Sequence, residues 1–228
     1  MSDFLCRIYV EANLSPKTVI ALDEKDHHYL KNVLRAKKGA NIRVFNGRDG
    51  EWSATYHEKN IEIETLLRTQ ILPPPIDLYF APIRQNRMDI LIEKCTEIGL
   101  ENFYPVFTEY TQVRNVNIER LQKQIKEASE QSESLNCPKI HPPQILRTLL
   151  KNKTDLYVAD ERRDAQHFLS QQLETKRLSI LVGPEGGFSQ SERECFEALK
   201  KYSLGPSILR AETAAILSVA YGNILFSK

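Results

Sequence analysis

The stretch LSILVGPEGGFSQSE, residues 178 to 192, limits what this chain can fold into more than any other. Its apolar start, Leu178 to Val182, has the length and composition of a buried strand, and Gly183 and Pro184 break it into a loop too glycine-rich for regular structure. Ser189 then stands three positions before Glu192, the spacing of a capping box, in which each side chain satisfies a free backbone donor and a helix begins. The order strand, glycine loop, helix predicts an open α/β sheet. In such sheets ligands lie beyond the carboxyl end of a strand, and glycines let the backbone come close to them. The loop has no terminal GK[ST], and Gly183, Gly186 and Gly187 do not fit GxGxxG, so it does not read as a nucleotide phosphate cradle.

The chain around this stretch predicts a parallel sheet. Past the triplet Pro73, Pro74 and Pro75, strands are predicted at residues 77–83, 103–107 and 155–159, with helices at 88–98, 118–134, 144–150 and 165–173 between them. Met88, Leu91, Cys95 and Ile98 share one helical face ahead of a Gly99 terminator, and Leu121, Ile125 and Ala128 share another. A last helix, 213–226, is apolar nearly all round and needs cover on more than one side, part of which a second subunit could supply. Before the prolines the pattern changes. Short strands at 6–10, 17–22, 41–45, 51–57 and 61–69 surround one helix at 23–37, which suggests a compact barrel-like unit. The expected domains are therefore residues 1–72 and 73–228.

Composition narrows the setting. The 228 residues carry a net charge of +1, so any binding to nucleic acid is local. Lys31, Arg35, Lys37, Lys38, Arg43 and Arg48 form a basic run free of acids, in which Arg35, Lys37 and Lys38 are the candidate phosphate contacts. Cys6, Cys95, Cys137 and Cys195 lie far apart without a CxxC pair, which points to neither zinc nor disulfides. With no signal-peptide pattern and no membrane-length apolar run, a soluble cytoplasmic protein is expected.

Five segments together resemble one known family. LVGPEGGFSQSE, LGPSILRAETAAI, RMDILIEKCTEIGL, EASEQS and HHYLKNVLR are similar to motifs of the RsmE family, enzymes of the SPOUT class that methylate ribosomal RNA. The resemblance covers nearly the whole chain. It implies a PUA-like β-barrel domain at the front and an α/β SPOUT domain with a deep trefoil knot behind, a fold no periodicity could reveal. It implies a homodimer that holds S-adenosylmethionine in a bent conformation and methylates ring nitrogen 3 of a uridine in 16S ribosomal RNA, without a metal. The cofactor residues it implies are Leu181, Val182, Gly183, Pro184, Glu185 and Gly186 in the first motif. From the second come Leu204, Gly205, Ile208, Leu209, Thr213 and Ala214.

Proton removal from the uridine nitrogen directs attention to Arg210 and Glu212 as catalytic candidates, with Glu185, Arg84 and Arg87 as further possible participants. Arg84 and Arg87 are also candidate RNA contacts. Two departures from the family pattern stand out: Glu133 and Ser134 replace a glycine and an arginine, and Ser207 replaces an arginine, which removes possible RNA contacts. Alternative readings are a different RNA base or position as target, or a non-catalytic RNA-binding dimer.

Overall fold

The computed structural model describes residues 4–160, 165–170 and 176–226. The chain separates into two compact units, one holding the chain up to Leu72 together with Ser129–Cys137, the other Pro73–Ala128 and Pro138 onwards.

The first unit is built on strands β1 (Arg7–Tyr9), β2 (Val19–Ala21), β3 (Asn41–Phe45), β4 (Glu51–Tyr56) and β5 (Asn60–Arg68), with helix α1 (Glu24–His28) before β3. They form one five-stranded sheet in the order β1-β3-β4-β5-β2. Only the β1–β3 pair is parallel; the others are antiparallel. Alternation sends Ile42, Val44, Ala54, Tyr56, Ile61 and Ile63 to one buried face, where Leu30 covers them. The helix expected over 23–37 is shorter. After α1 the chain widens into a single looser turn over Tyr29–Val33, and Arg35, with φ 53°, ends it. Asn46 makes the β3–β4 turn, its side-chain oxygen accepting from the amides of Arg48 (3.0 Å) and Asp49 (2.8 Å).

A buried charge cluster joins residues 129–137 to this sheet. Arg7 pairs with Glu51, which is 1 % exposed, and donates to the carbonyls of Ser129 (2.7 Å) and Ser134 (2.6 Å). Its guanidinium also lies 3.5 Å over the Phe45 ring. Glu133 sits at φ 55°, a left-handed conformation that suits the glycine of the resembled pattern. Its carboxylate accepts from Arg43 at 2.6 Å, and Arg68 donates to its carbonyl at 3.1 Å. The departure at Glu133 and Ser134 thus places groups that hold this segment in place.

The second unit contains β6 (Ile76–Phe80), α2 (Gln85–Ile98), β7 (Asn102–Phe107), α3 (Ile118–Gln131), β8 (Lys139–Ile140), β9 (Gln144–Ile145), α4 (Leu146–Asn152), β10 (Leu156–Ala159), β11 (Leu178–Val182), α5 (Gln190–Glu194), β12 (Lys200–Tyr202) and α6 (Ala211–Phe226). The last turn of α3 falls in the 129–137 segment of the first unit. The sheet order is β12-β10-β11-β6-β7-β8, with β9 also on β7, and every pair is parallel. β6 and β11 are buried along their whole length, the continuous apolar pattern of strands covered on both faces. On one face Tyr79, Leu181 and Val158 meet Leu146, Leu149, Phe188 and Phe196. On the other lies α6, whose Gly222 approaches so closely that a Cβ there would stand 2.8 Å from Leu178 Cδ2 and 3.0 Å from Ile76 Cδ1.

Several expected boundaries move. The strand expected over 77–83 ends at Phe80, and α2 starts three residues earlier than expected, burying Ile92 and Thr96 while Ile98 is only half-buried. The helix expected at 144–150 begins two residues late because Gln144 and Ile145 pair with β7. Of the helix expected at 165–173, the described part is a bridge from His167 to Ser203 and one tight turn, Phe168–Ser170; residues 171–173 lie outside the described residues. The two-residue β8 and the charged β12 have no apolar run that would mark them.

Two predictions follow from these contacts. Gly222→Val forces a Cβ and two methyls against buried side chains and is expected to cost about 1–3 kcal/mol in urea unfolding; an unchanged midpoint would show the helix can shift outward freely. Glu133 is the second. The hydrogen bond from Arg43, first among the causes, holds its carboxyl below the ordinary value of 4.5, so its contribution is present at neutral pH and is lost as pH falls through the folded value. Glu133→Gly relieves the left-handed backbone but removes an exposed ion pair, so it is expected to be neutral within about 1 kcal/mol at pH 7. It should become relatively more stable at pH 4, which urea unfolding at the two pH values would register.

Candidate functional site

β10, β11 and β12 run parallel, so their carboxyl ends open on one edge of the sheet, and a cavity of about 260 Å³ lies there. One wall is Val182 and the loop Gly183–Phe188; the opposite wall is Tyr202–Gly205 with Ser207–Leu209. Ala159 and Asp160 close one side, and Ala211 and Ala214 of α6 the other. This is the crevice outside strand ends where α/β sheets bind ligands.

The glycine loop is held from three directions. The Gly187 amide donates to the Pro184 carbonyl at 2.9 Å, closing a tight turn, with Gly187 at φ 68°. The Phe188 ring folds back into the core, edge-on to Phe196 at 4.8 Å, and it lies so near Gly183 that a Cβ there would stand 2.9 Å from it. The capping box forms as its sequence requires: Ser189 N donates to Glu192 Oε2 at 2.9 Å, and Glu192 N to Ser189 Oγ at 3.2 Å. The other oxygen of Glu192 accepts from the Glu109 amide at 2.8 Å, which ties the loop to the end of β7. Arg193 donates to the Phe188 carbonyl (3.0 Å) and pairs with Asp160 (3.3 Å).

The second wall is more open. Gly205 has φ 128°, and a Cβ there would meet no described atom within 4 Å; Ile208 is 82 % exposed, an apolar side chain bordering a cavity without protein cover. Behind it the Tyr202 hydroxyl bonds Ser218 at 2.6 Å, and burial pushes the phenol's pKa up.

Charge gathers where the first turn of α6 faces the glycine loop. Arg87, in the first turn of α2, places Nη1 3.0 Å from Glu185 Oε1 and Nε 3.9 Å from Glu212 Oε1. Glu212 is 8 % exposed, and its Oε2 is buried without a hydrogen-bond partner among the described residues. A buried carboxylate oxygen left bare costs free energy unless a donor reaches it.

Of the expected cofactor residues, Val182, Gly183, Pro184, Glu185 and Gly186 line the cavity from one wall. Leu204, Gly205, Ile208, Leu209 and Ala214 line it from elsewhere. Leu181 is buried in the core beneath the loop, and Thr213 is exposed. Arg210 is exposed beside the buried Glu212. Arg35, Lys37 and Lys38 are exposed in the first unit and Arg84 is exposed in the second, whereas Arg87 is engaged with two acids. Sequence reasoning missed Asp160, Tyr202 and Ser203 at the cavity. Asp160 had a usable signal, standing directly after a predicted strand; Tyr202 had none, because KKY does not read as a strand. Among the described residues no group of three or more His, Cys, Asp or Glu could hold a metal ion, and no helix is long and apolar enough to cross a membrane.

Comparison with known proteins gives a consistent picture. Residues 70–223 match the RNA methyltransferase domain family, and residues 22–66 the RNA methyltransferase PUA domain family. Ribosomal RNA small subunit methyltransferase E of Rickettsia conorii is 37% identical over 235 residues, covering 97% of this chain and 96% of that one. The protein of the same name from Synechocystis is 30% identical over 234 residues, covering 96% and 77%. A crystal structure of ribosomal RNA small subunit methyltransferase E from Neisseria gonorrhoeae bound to S-adenosyl methionine aligns with a TM-score of 0.85 at 29% identity, over 96% of this chain and 97% of that one.

The Gly183–Phe188 contact carries its own test. Gly183→Ala must push aside an aromatic ring that is packed in the core, and is expected to lower unfolding stability by about 1–3 kcal/mol in urea titration. A stability equal to the parent's would mean that the ring has room to retreat.

Proposed function

The chain belongs to the ribosomal RNA small subunit methyltransferase E family, and from that premise we propose that it transfers a methyl group from S-adenosylmethionine to N3 of a uridine in 16S ribosomal RNA. The observation that carries the reading is the cavity walled by a glycine loop at the strand ends, with the buried Glu212 standing on α6 between two of its lining residues, Ala211 and Ala214.

The residues present suit that cofactor. The loop wall offers backbone and small or apolar side chains against which a nucleoside can lie, while Asp160 and Glu185 bring carboxylates that favour a positive charge. When bound, S-adenosylmethionine supplies a methyl group already activated by a positively charged sulfur. Val182–Gly186, with Leu204, Gly205, Ile208, Leu209 and Ala214, would hold it, and Leu181 and Thr213 support that wall from beneath and beside.

The chain's own chemical task concerns a proton. Uridine N3 is protonated at neutral pH and is a poor nucleophile until that proton leaves. Glu212 takes it, directly or through a water, as the new N–C bond forms. Arg210, exposed at the start of α6, stabilises the negative charge that spreads onto the uracil oxygens, together with the positive end of the helix. Residues 1–72 act as the PUA-like RNA-binding domain and 73–228 as the SPOUT domain with its trefoil knot. Arg35, Lys37, Lys38 and Arg84 contact phosphates. A cytoplasmic homodimer belongs to the same reading.

Calorimetry with S-adenosylmethionine and mass mapping of 16S ribosomal RNA methylation test the whole reading. Glu212→Gln is expected to bind cofactor and RNA almost normally and to lose about a hundredfold or more in single-turnover rate, with part of the loss recovered at high pH. Transfer at the parental rate across the pH range would remove Glu212 as the base. Absence of cofactor binding by the parent protein would favour an RNA-binding role without catalysis.

A further inference from the structure

Arg87 looks from sequence like one more phosphate contact, yet its guanidinium is committed to two acids from different parts of the site. Nη1 is 3.0 Å from Glu185 in the glycine loop, and Nε is 3.9 Å from Glu212 at the start of α6. Only 29 % of the side chain is exposed. Its own backbone is fixed in the first turn of α2, where its amide donates to the Arg84 carbonyl and the Asn86 side chain, each at 3.0 Å.

The two oxygens of Glu212 are thereby made unequal. Oε1 faces the cation while Oε2 is bare and buried. We propose that Arg87 is a positioning residue that holds Glu212 through Oε1 and sets this carboxylate in register with the glycine loop through Glu185. The proposal rests on the reading of Glu212 as the proton acceptor.

The charged groups around Glu212 support assigning this task to Arg87. From α2 comes Arg87, and from the loop after β11 comes Glu185, reached through it. β11 has no titratable residue. On β6, Asp77 is tied to Arg177 and Asn102, and Tyr79 packs in the core on the other face of the sheet. The segment at Phe168–Ser170 brings His167, whose ring lies 5.9 Å from Tyr221, more than two turns further along α6. Arg210 is exposed to solvent. Among the described residues Arg87 is the cation that faces Glu212, and its removal would leave a buried acid near a second acid.

The test uses the full chain, S-adenosylmethionine and 16S ribosomal RNA. Single-turnover methyl transfer is measured against pH, and RNA affinity against salt, for Arg87→Met and Arg87→Lys. Arg87→Met is expected to lose at least about tenfold in rate at pH 7, with the acidic limb of its profile displaced upward by about one pH unit or more. Arg87→Lys keeps a cation and should hold the limb near the parent's position. The salt slope of RNA binding should be unchanged in both. A slope lower by about one unit would make Arg87 a phosphate contact and overturn the proposal. So would a uniform drop in rate with the limb unmoved, the signature of a merely structural role.

Should Arg87→Met fail to fold, Glu185→Gln decides. It frees Arg87 for Glu212 alone and should move the limb downward, and an unmoved limb overturns the proposal. A parent protein that transfers no methyl overturns the functional reading itself; a transferring parent with an unmoved limb in the variants overturns only the role of Arg87.

Discussion

The geometry of the site depends on how closely α6 can lie on the sheet. At Gly222 a Cβ would stand 2.8 Å from Leu178 Cδ2 and 3.0 Å from Ile76 Cδ1, so the helix backbone rests directly on side chains of β11 and β6. Other contacts fix its rotation and its position along its length. Asn223 donates to the Gly99 carbonyl at 2.8 Å, where α2 ends, and Ser218 bonds the hydroxyl of Tyr202 on β12. The amino end of α6 brings Ala211 and Ala214 to the cavity. A helix apolar along most of its length is suited to this, since it can be clamped from several sides, and the acid it does bury, Glu212, has Arg87 beside it.

Much of the site was legible because its signals are local. The run Leu178–Val182, the glycines and the Ser189–Glu192 pair each act over a few residues, and strand, loop and capped helix form where those residues say. What was not legible depends on partners far away in sequence. Lys200–Tyr202 becomes a strand only by pairing with β10, and its residues carry no apolar alternation that would announce it. The helix that ends at Arg35 rather than Lys37 does so through a left-handed backbone that its residue types do not demand. Arg87 is the sharpest case. A basic residue near an expected RNA surface reads as a phosphate contact, and the two carboxylates that stand beside it lie far away in sequence.

Glu133 shows how a departure from a family pattern can be absorbed. A non-glycine residue in the left-handed region costs about 1–2 kcal/mol. Here the side chain that creates the cost also returns part of it, by reaching Arg43, while Arg68 holds the carbonyl of the same residue. The position that offered freedom in the pattern has become a point of attachment for residues 129–137.

Glu192 has a consequence for which sequences the loop can drift through. Its two carboxylate oxygens each receive a backbone N–H, one from Ser189 and one from Glu109, while 1 % of the residue is exposed. An amide of the same shape has one acceptor oxygen and would point N–H groups at the other donor, and a shorter acid would not span the gap. The residue is therefore interchangeable with none of its usual substitutes. Drift in the loop is confined to positions that do not report to this carboxylate, and the end of β7 is bound to follow the same history as the glycine loop, although more than seventy residues of chain separate them.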